Sequence, residues 1–127
     1  MSDKKYTKDH EWVLLEGENA VVGITNHAQE SLGDIIFVDL PEIGKKVKAG
    51  EEVSVIESVK AASDIFTPVD GKILEVNNSL TDNPALINKE AESAGWIFKL
   101  KISNNSQLNN LLSLSDYEDF LKQDKEL

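Results

Sequence analysis

The sequence predicts a mainly β protein, a small and mostly antiparallel sandwich or flattened barrel with short helices and a C-terminal helix. Three observations carry this expectation. Short apolar-polar alternations rich in Val and Ile recur through most of the chain. Gly, Pro, Asn and Asp clusters separate them at strand-length intervals. The last quarter then changes from a period of two to helical spacing.

Residues 12–15 and 20–24 read as two strands joined by the turn Glu16-Gly17-Glu18-Asn19, a hairpin. Residues 25–32 read as a short helix, with Thr25 or Asn26 as N-cap and Gly33 as its stop. Residues 34–40 return to a β-branched strand, which ends at Pro41 because proline lacks the N–H a ladder needs. Val53 and Val55 alternate with Glu52 and Ser54, a strand with one buried face. Residues 64–67 form a further strand that stops at Pro68, and Asp70-Gly71 turns the chain into a strand over 72–76. A loop rich in Asn, Asp and Pro follows, then a strand over 96–102. Leu108, Leu111 and Leu112 recur at helical spacing, and Ser115-Asp116-Tyr117-Glu118 fits a capping box. That box opens a helix placing Tyr117, Phe120 and Leu121 on one face. Trp12 and Trp96 read as core or core-edge aromatics.

The chain has 127 residues, 40% hydrophobic and 28% charged, a globular balance that fits one domain over 1–127. It contains no cysteine, which excludes disulfides, thiolate metal sites and cysteine nucleophiles. Formal net charge is −10, and all 13 cations are lysines. Such a balance disfavours nucleic-acid binding, which needs basic patches against phosphates. The apolar runs are too short to span a bilayer as helices. The N-terminal stretch has neither a secretory core nor an Arg-rich amphipathic pattern. The expectation is a soluble intracellular protein or the mature form of an imported one. No phosphate-cradling Gly motif is present, and two histidines are available for base or metal duty, so no catalytic or metal-binding residues are assigned.

The informative segment is Glu57-Ser58-Val59-Lys60-Ala61-Ala62-Ser63-Asp64. One strand ends near Ser58 and the next begins near Asp64, so Lys60 falls at or beside a hairpin tip. Small residues at Ala61, Ala62 and Ser63 leave the approach to its ammonium uncrowded. By spacing alone, the reading of Lys60 as one solvated lysine among thirteen is favoured, because a lysine on a turn is commonplace.

Glu-Ser-Val-Lys-Ala, preceded by the Gly-x-x-Val-x-x-Gly-Glu-x-Val run from Gly44 to Val53, resembles the modification hairpin of the biotinyl/lipoyl carrier superfamily. Biotin carriers flank the lysine with methionines, and lipoyl domains of 2-oxoacid dehydrogenases usually show Asp-Lys-Ala. Here the neighbours are Val59 and Ala61, and Val-Lys-Ala after Glu-Ser is similar to the glycine cleavage H proteins. Residues 6–13, 22–29, 32–41, 68–77 and 86–88, Gly95-Trp96 and the helix around Tyr117 match that family in order and at compatible spacing.

The resemblance implies a lipoyl-type core over about 20–102, a helical segment over about 105–125, and lipoic acid in amide linkage on Lys60. It implies a carrier without catalysis of its own. The carrier takes an aminomethyl group from glycine at a pyridoxal-phosphate glycine decarboxylase (the P protein) and delivers it to an aminomethyltransferase (T protein). Dihydrolipoamide dehydrogenase (L protein) then reoxidises it. A lipoate ligase or lipoyl/octanoyl transferase would recognise Glu57, Ser58, Val59 and Ala61, although Glu57 could also be a plain solvent-facing residue. Asp9, Glu11, His27 and Asp64, with Ala61, are the positions matching the family's arm cleft. Glu11 could instead be an exposed strand residue, His27 a capping or packing residue, and Asp64 a pin for backbone amides of the hairpin. Also implied are a monomer, no membrane or nucleic-acid partner, and a cytoplasmic or, for an imported form, mitochondrial matrix location. A relay role, donating lipoyl groups to 2-oxoacid dehydrogenases, is the alternative function.

Overall fold

A computed structural model describes residues 4–126; residues 1–3 and Leu127, included in the expected domain, lie outside it. Nine strands alternate with short helices: β1 (Lys4–Tyr6), β2 (Glu11–Glu16), β3 (Asn19–Ile24), α1 (Asn26–Leu32), β4 (Ile35–Asp39), β5 (Lys46–Val47), β6 (Glu52–Ser58), β7 (Ala62–Phe66) and β8 (Gly71–Val76). Then come α2 (Ser79–Asp82), α3 (Leu86–Glu90), β9 (Phe98–Ile102), a 3₁₀ turn (Asn105–Asn110) and α4 (Leu114–Glu126). The strands form two antiparallel sheets, one of order β1-β2-β3-β9-β8-β5 and one of order β4-β6-β7. The expected mainly β architecture with short helices and a C-terminal helix is what the structure shows, built as two antiparallel sheets.

Alternation explains the pairing. In β8 and β9, Gly71, Ile73, Phe98 and Leu100 point inward while Lys72 and Lys101 face solvent. The main core joins Val13, Val22 and Phe98 of the large sheet to Val38, Ile56 and Ile65 of the small one. A second cluster covers the outer face of the large sheet, where Trp12, Tyr6 and Val21 pack under Tyr117 of α4. Trp12 is buried and its indole N–H donates to Ala91 O at 2.9 Å. A Cβ on Gly23 would meet that ring at 2.8 Å, so only glycine fits beside it. Trp96 is half-buried at the edge of this cluster, as expected for a core-edge aromatic.

Helix α1 begins and ends where its sequence signals stand. Thr25 is the N-cap, accepting from Ala28 N, and Gly33 closes the helix at φ 80°, ψ −156°, a conformation open essentially to glycine alone. Three expectations need correction. The region between β8 and β9 holds two short helices rather than a plain loop, α2 and α3, neither of which has a side-chain cap bond to signal it. The capping residue of α4 is Ser113, whose hydroxyl accepts from Asp116 N at 3.1 Å, so the helix starts before Ser115. Leu108, Leu111 and Leu112 do not share one helix: Leu108 lies in the 3₁₀ turn, and Leu112 bridges β1 through paired backbone bonds with Tyr6.

Asn88 of α3 ties this helical region to the start of the small sheet. Its side-chain N–H₂ donates to Gly33 O at 2.8 Å and Gln29 Oε1 at 3.1 Å, while its Oδ1 accepts from Ile35 N at 2.9 Å. An alanine at this position would leave the half-buried Gly33 carbonyl and the N–H of buried Ile35 without these partners. Asn88→Ala should therefore lower unfolding stability by about 2–3 kcal/mol in urea titrations, the range for stranding such groups. A loss below 0.5 kcal/mol, on the order of a plain surface substitution, would contradict that role.

Candidate functional site

Strands β6 and β7 pair from Glu52↔Phe66 to Glu57↔Ala62, leaving Val59, Lys60 and Ala61 as the connection. The turn is closed by Ser58. Its N–H donates to Ala61 O at 2.8 Å, while its hydroxyl accepts from Lys60 N at 3.2 Å and Ala61 N at 3.0 Å. Val59 N donates outside the hairpin, to Asp34 O at 3.0 Å, which fastens the tip to the segment entering β4. Each backbone N–H from Ser58 to Ala61 thus has a partner, and Ser58 itself is buried.

Lys60 is exposed, as are Ala61 and Ala62 beside it. Its stem passes over Gly33, where a Cβ would sit 3.5 Å from Lys60 Cε. Glu57 and Val59 are exposed as well, so the turn presents a fixed backbone and an accessible ammonium.

Glu11 is buried, at 2% exposure. Its expected alternative as an exposed strand residue is therefore wrong. Burial arises because β2 packs both faces here, with Glu11, Trp12 and Val13 all enclosed. Oε1 accepts from Thr7 Oγ1 at 3.0 Å, and Oε2 accepts from Phe66 N at 3.0 Å. The carboxylate thus links β2 of the large sheet to the end of β7 in the small one. Burial pushes its pKa up to about 7, against the lowering bonds from Phe66 and Thr7, and the nearby charge of Asp9 pushes the same way.

The remaining candidates lie on three separate elements, the 7–10 turn, α1 and β7. Asp9 is exposed in the 7–10 turn, and its N–H donates to Thr7 Oγ1 at 3.2 Å. Asp64 is exposed on β7, opposite Val55, while the hairpin amide bound by a carboxylate is that of Phe66, bound by Glu11. His27 packs at a tilt against His10, with ring centroids 4.6 Å apart and ring planes 37° from parallel. It lines a cleft of about 300 Å³ with Tyr6, Asn26, Glu92 and Tyr117. A larger cleft, about 410 Å³, lies at the other end of the β6–β7 hairpin, among Lys46, Lys48, Asp70 and Lys72. Lys60 lines neither cleft.

Sequence reasoning missed several residues that hold this region. Thr7 braces Glu11 by its hydroxyl, and the only hint was its i, i+4 spacing. His10 adopts φ 68° and shares a 2.8 Å hydrogen bond with Tyr117 OH, which also bonds Thr25 Oγ1 at 2.7 Å. That chain fastens α4 to the start of α1. Asn88 lay within a recognised block, but its contacts come from residues more than fifty positions away.

The fold and this hairpin define the class: a two-sheet domain of the biotinyl/lipoyl carrier type, with a lysine at the braced tip. Comparison with known proteins narrows the class. The family described as glycine cleavage H-protein matches residues 4–124. The glycine cleavage system H protein of Thermotoga maritima is 56% identical over 124 residues, covering 98% of this chain and all of that protein. That of Escherichia coli O7:K1 is 53% identical over 122 residues, 95% of each chain. The crystal structure of the Mycobacterium marinum H protein superposes with a TM-score of 0.85 at 37% identity, covering 98% of both chains. The chain belongs to the glycine cleavage H-protein family, whose members are lipoyl-bearing carriers.

The buried carboxyl of Glu11 has a pH signature. Its folded pKa of about 7 exceeds the ordinary carboxyl value of 4.5, so the folded state holds the extra proton between those pH values. Stability therefore falls as pH rises through that window and levels off above it. Relative to Glu11→Gln, wild type should lose on the order of 3 kcal/mol from about one unit below pH 4.5 to about one unit above pH 7, the full linkage of a shift this size. Urea unfolding of both proteins across this range reads the difference, and a pH-independent gap would contradict the assignment.

Proposed function

We propose that this chain carries lipoic acid in amide linkage on Lys60 and shuttles the aminomethyl group of glycine. Its partners would be a pyridoxal-phosphate glycine decarboxylase, an aminomethyltransferase and dihydrolipoamide dehydrogenase. The observation that carries the reading is the tip itself, where an exposed lysine stands on a backbone whose N–H groups are all bonded. Lipoic acid there would supply a dithiolane that accepts the group and is reoxidised afterwards. The residues present fit such an attachment. Lys60 Nζ stands at an exposed turn, Ala61 and Ala62 put no bulk beside it, and Gly33 leaves room under the stem.

The protein's own part is tethering and presentation. Linkage to the carrier gives the arm a high effective concentration at a docked enzyme. Glu57, Ser58, Val59 and Ala61 form the segment a lipoate ligase or lipoyl/octanoyl transferase would read, with Ser58 acting through the turn it closes. Asp9, Glu11, His27 and Asp64 are the candidate contacts for a loaded arm. Glu11 holds the end of β7 from within, where its charge state changes near neutrality. We place the protein in the bacterial cytoplasm as a monomeric carrier subunit without catalysis of its own. In support, the relatives above are bacterial, and no helix among the described residues is long and apolar enough to cross a membrane.

Peptide mapping of protein from its native host should find a lipoyl adduct confined to the Lys60 peptide. Lys60→Arg should abolish both the adduct and glycine-dependent carbon dioxide release. A biotin adduct at Lys60, or undiminished turnover by the arginine variant, would overturn the reading.

A further inference from the structure

The outer face of the small sheet is built in a way that the carrier chemistry alone does not require. The β4–β6 register slips between Ile35 and Phe37, which inserts Ile36 as an extra residue. Two consecutive apolar side chains then face solvent, Ile36 at 58% and Phe37 at 52% exposure. Strand alternation would have buried one of them. Val59, in the tip beside Lys60, is 66% exposed.

The register places carboxylates around these residues. Phe37, Glu57 and Ala62 lie side by side across the three strands, and Asp39, Val55 and Asp64 form the row beneath. Directly paired residues in antiparallel strands share a face, and Phe37, Glu57, Ala62, Asp39 and Asp64 are all exposed. The buried partners Val38, Ile56 and Ile65 point the other way, into the core. Within these three strands and their connecting turn, Lys60 is the one cation in the sequence.

We infer that Ile36, Phe37 and Val59, bordered by Asp39, Glu57 and Asp64, form the surface that docks the enzymes receiving the arm. The occupant is an apolar recess in such an enzyme, rimmed by lysine or arginine side chains. Exposed apolar side chains gathered beside a functional group mark an interaction surface. The carboxylate border sets the sign of the partner's rim and favours encounter with it. Amidation of Lys60 removes the one positive charge that these strands and their turn carry, so a basic-rimmed enzyme binds the modified carrier more tightly than the unmodified one. This inference rests on the carrier reading above.

The test uses protein already lipoylated on Lys60, verified by mass, with a purified pyridoxal-phosphate glycine decarboxylase as the probe. The KM for the carrier in glycine decarboxylation should rise about tenfold in Phe37→Ser, with kcat within twofold of wild type. Ile36→Ser, the second variant, should raise it in the same direction. Leu74→Ser, an exposed apolar residue on the large sheet, should leave KM unchanged. Raising sodium chloride from 50 to 500 mM should raise the wild-type KM more than that of Asp39→Asn. Folded, fully lipoylated Phe37→Ser and Ile36→Ser proteins with wild-type KM values would overturn the docking surface and leave the carrier reading standing. A wild-type protein that takes no lipoyl group would overturn the carrier reading itself.

Discussion

The structure depends on one local constraint: the turn at residues 58–61 must hold its backbone fixed while leaving Lys60 free. A three-residue connection has few internal partners for its amides, and unpaired amides would let it sample many conformations. Ser58 resolves this with a single hydroxyl that accepts from both Lys60 N and Ala61 N. The carbonyl of Asp34 takes the remaining amide, from Val59. The lysine gains no such restraint, because the residue under its stem is Gly33, which has no side chain to press against it.

That constraint propagates outward. Asp34 can serve Val59 only if the segment leaving α1 is held, and Asn88 holds it on both sides, at Gly33 O and Ile35 N. The other end of the hairpin is held by Glu11 at Phe66 N. The small sheet is thus gripped at its tip by the α1–β4 junction and at its base by a buried carboxyl from the large sheet. Glu11 is a costly choice for the second grip, since burying a carboxylate is unfavourable unless it is fully bonded. Burial raises its pKa to about 7, while the bonds from Phe66 and Thr7 hold it in place.

Local signals in the sequence marked the parts of this arrangement that are themselves local. Thr25 and Gly33 bounded α1, Pro41 and Pro68 followed the ends of strands, and small residues surrounded the lysine turn. Features made by distant partners were not legible. β1 spans three residues, and its bridge to Leu112 crosses most of the chain. The helices α2 and α3, at four and five residues, are too short to show a period. Ser113 and Ser115 both suit a cap, and the choice of Ser113 goes with Tyr117 packing against Tyr6, at 4.9 Å between ring centroids. The environment of Glu11 was hidden for a similar reason, because Phe66 lies fifty-five residues away. The family resemblance supplied the role of Lys60, because spacing alone favoured an ordinary surface lysine.

The most direct test of this account is amide hydrogen exchange at Ser58, Val59, Lys60 and Ala61, read residue by residue by NMR alongside the relaxation of the Lys60 side chain. The account predicts four amides protected well beyond free-peptide rates, next to a lysine side chain moving on the nanosecond scale or faster. Exchange of these amides at free-peptide rates, or a Lys60 side chain as rigid as the strands, would contradict it.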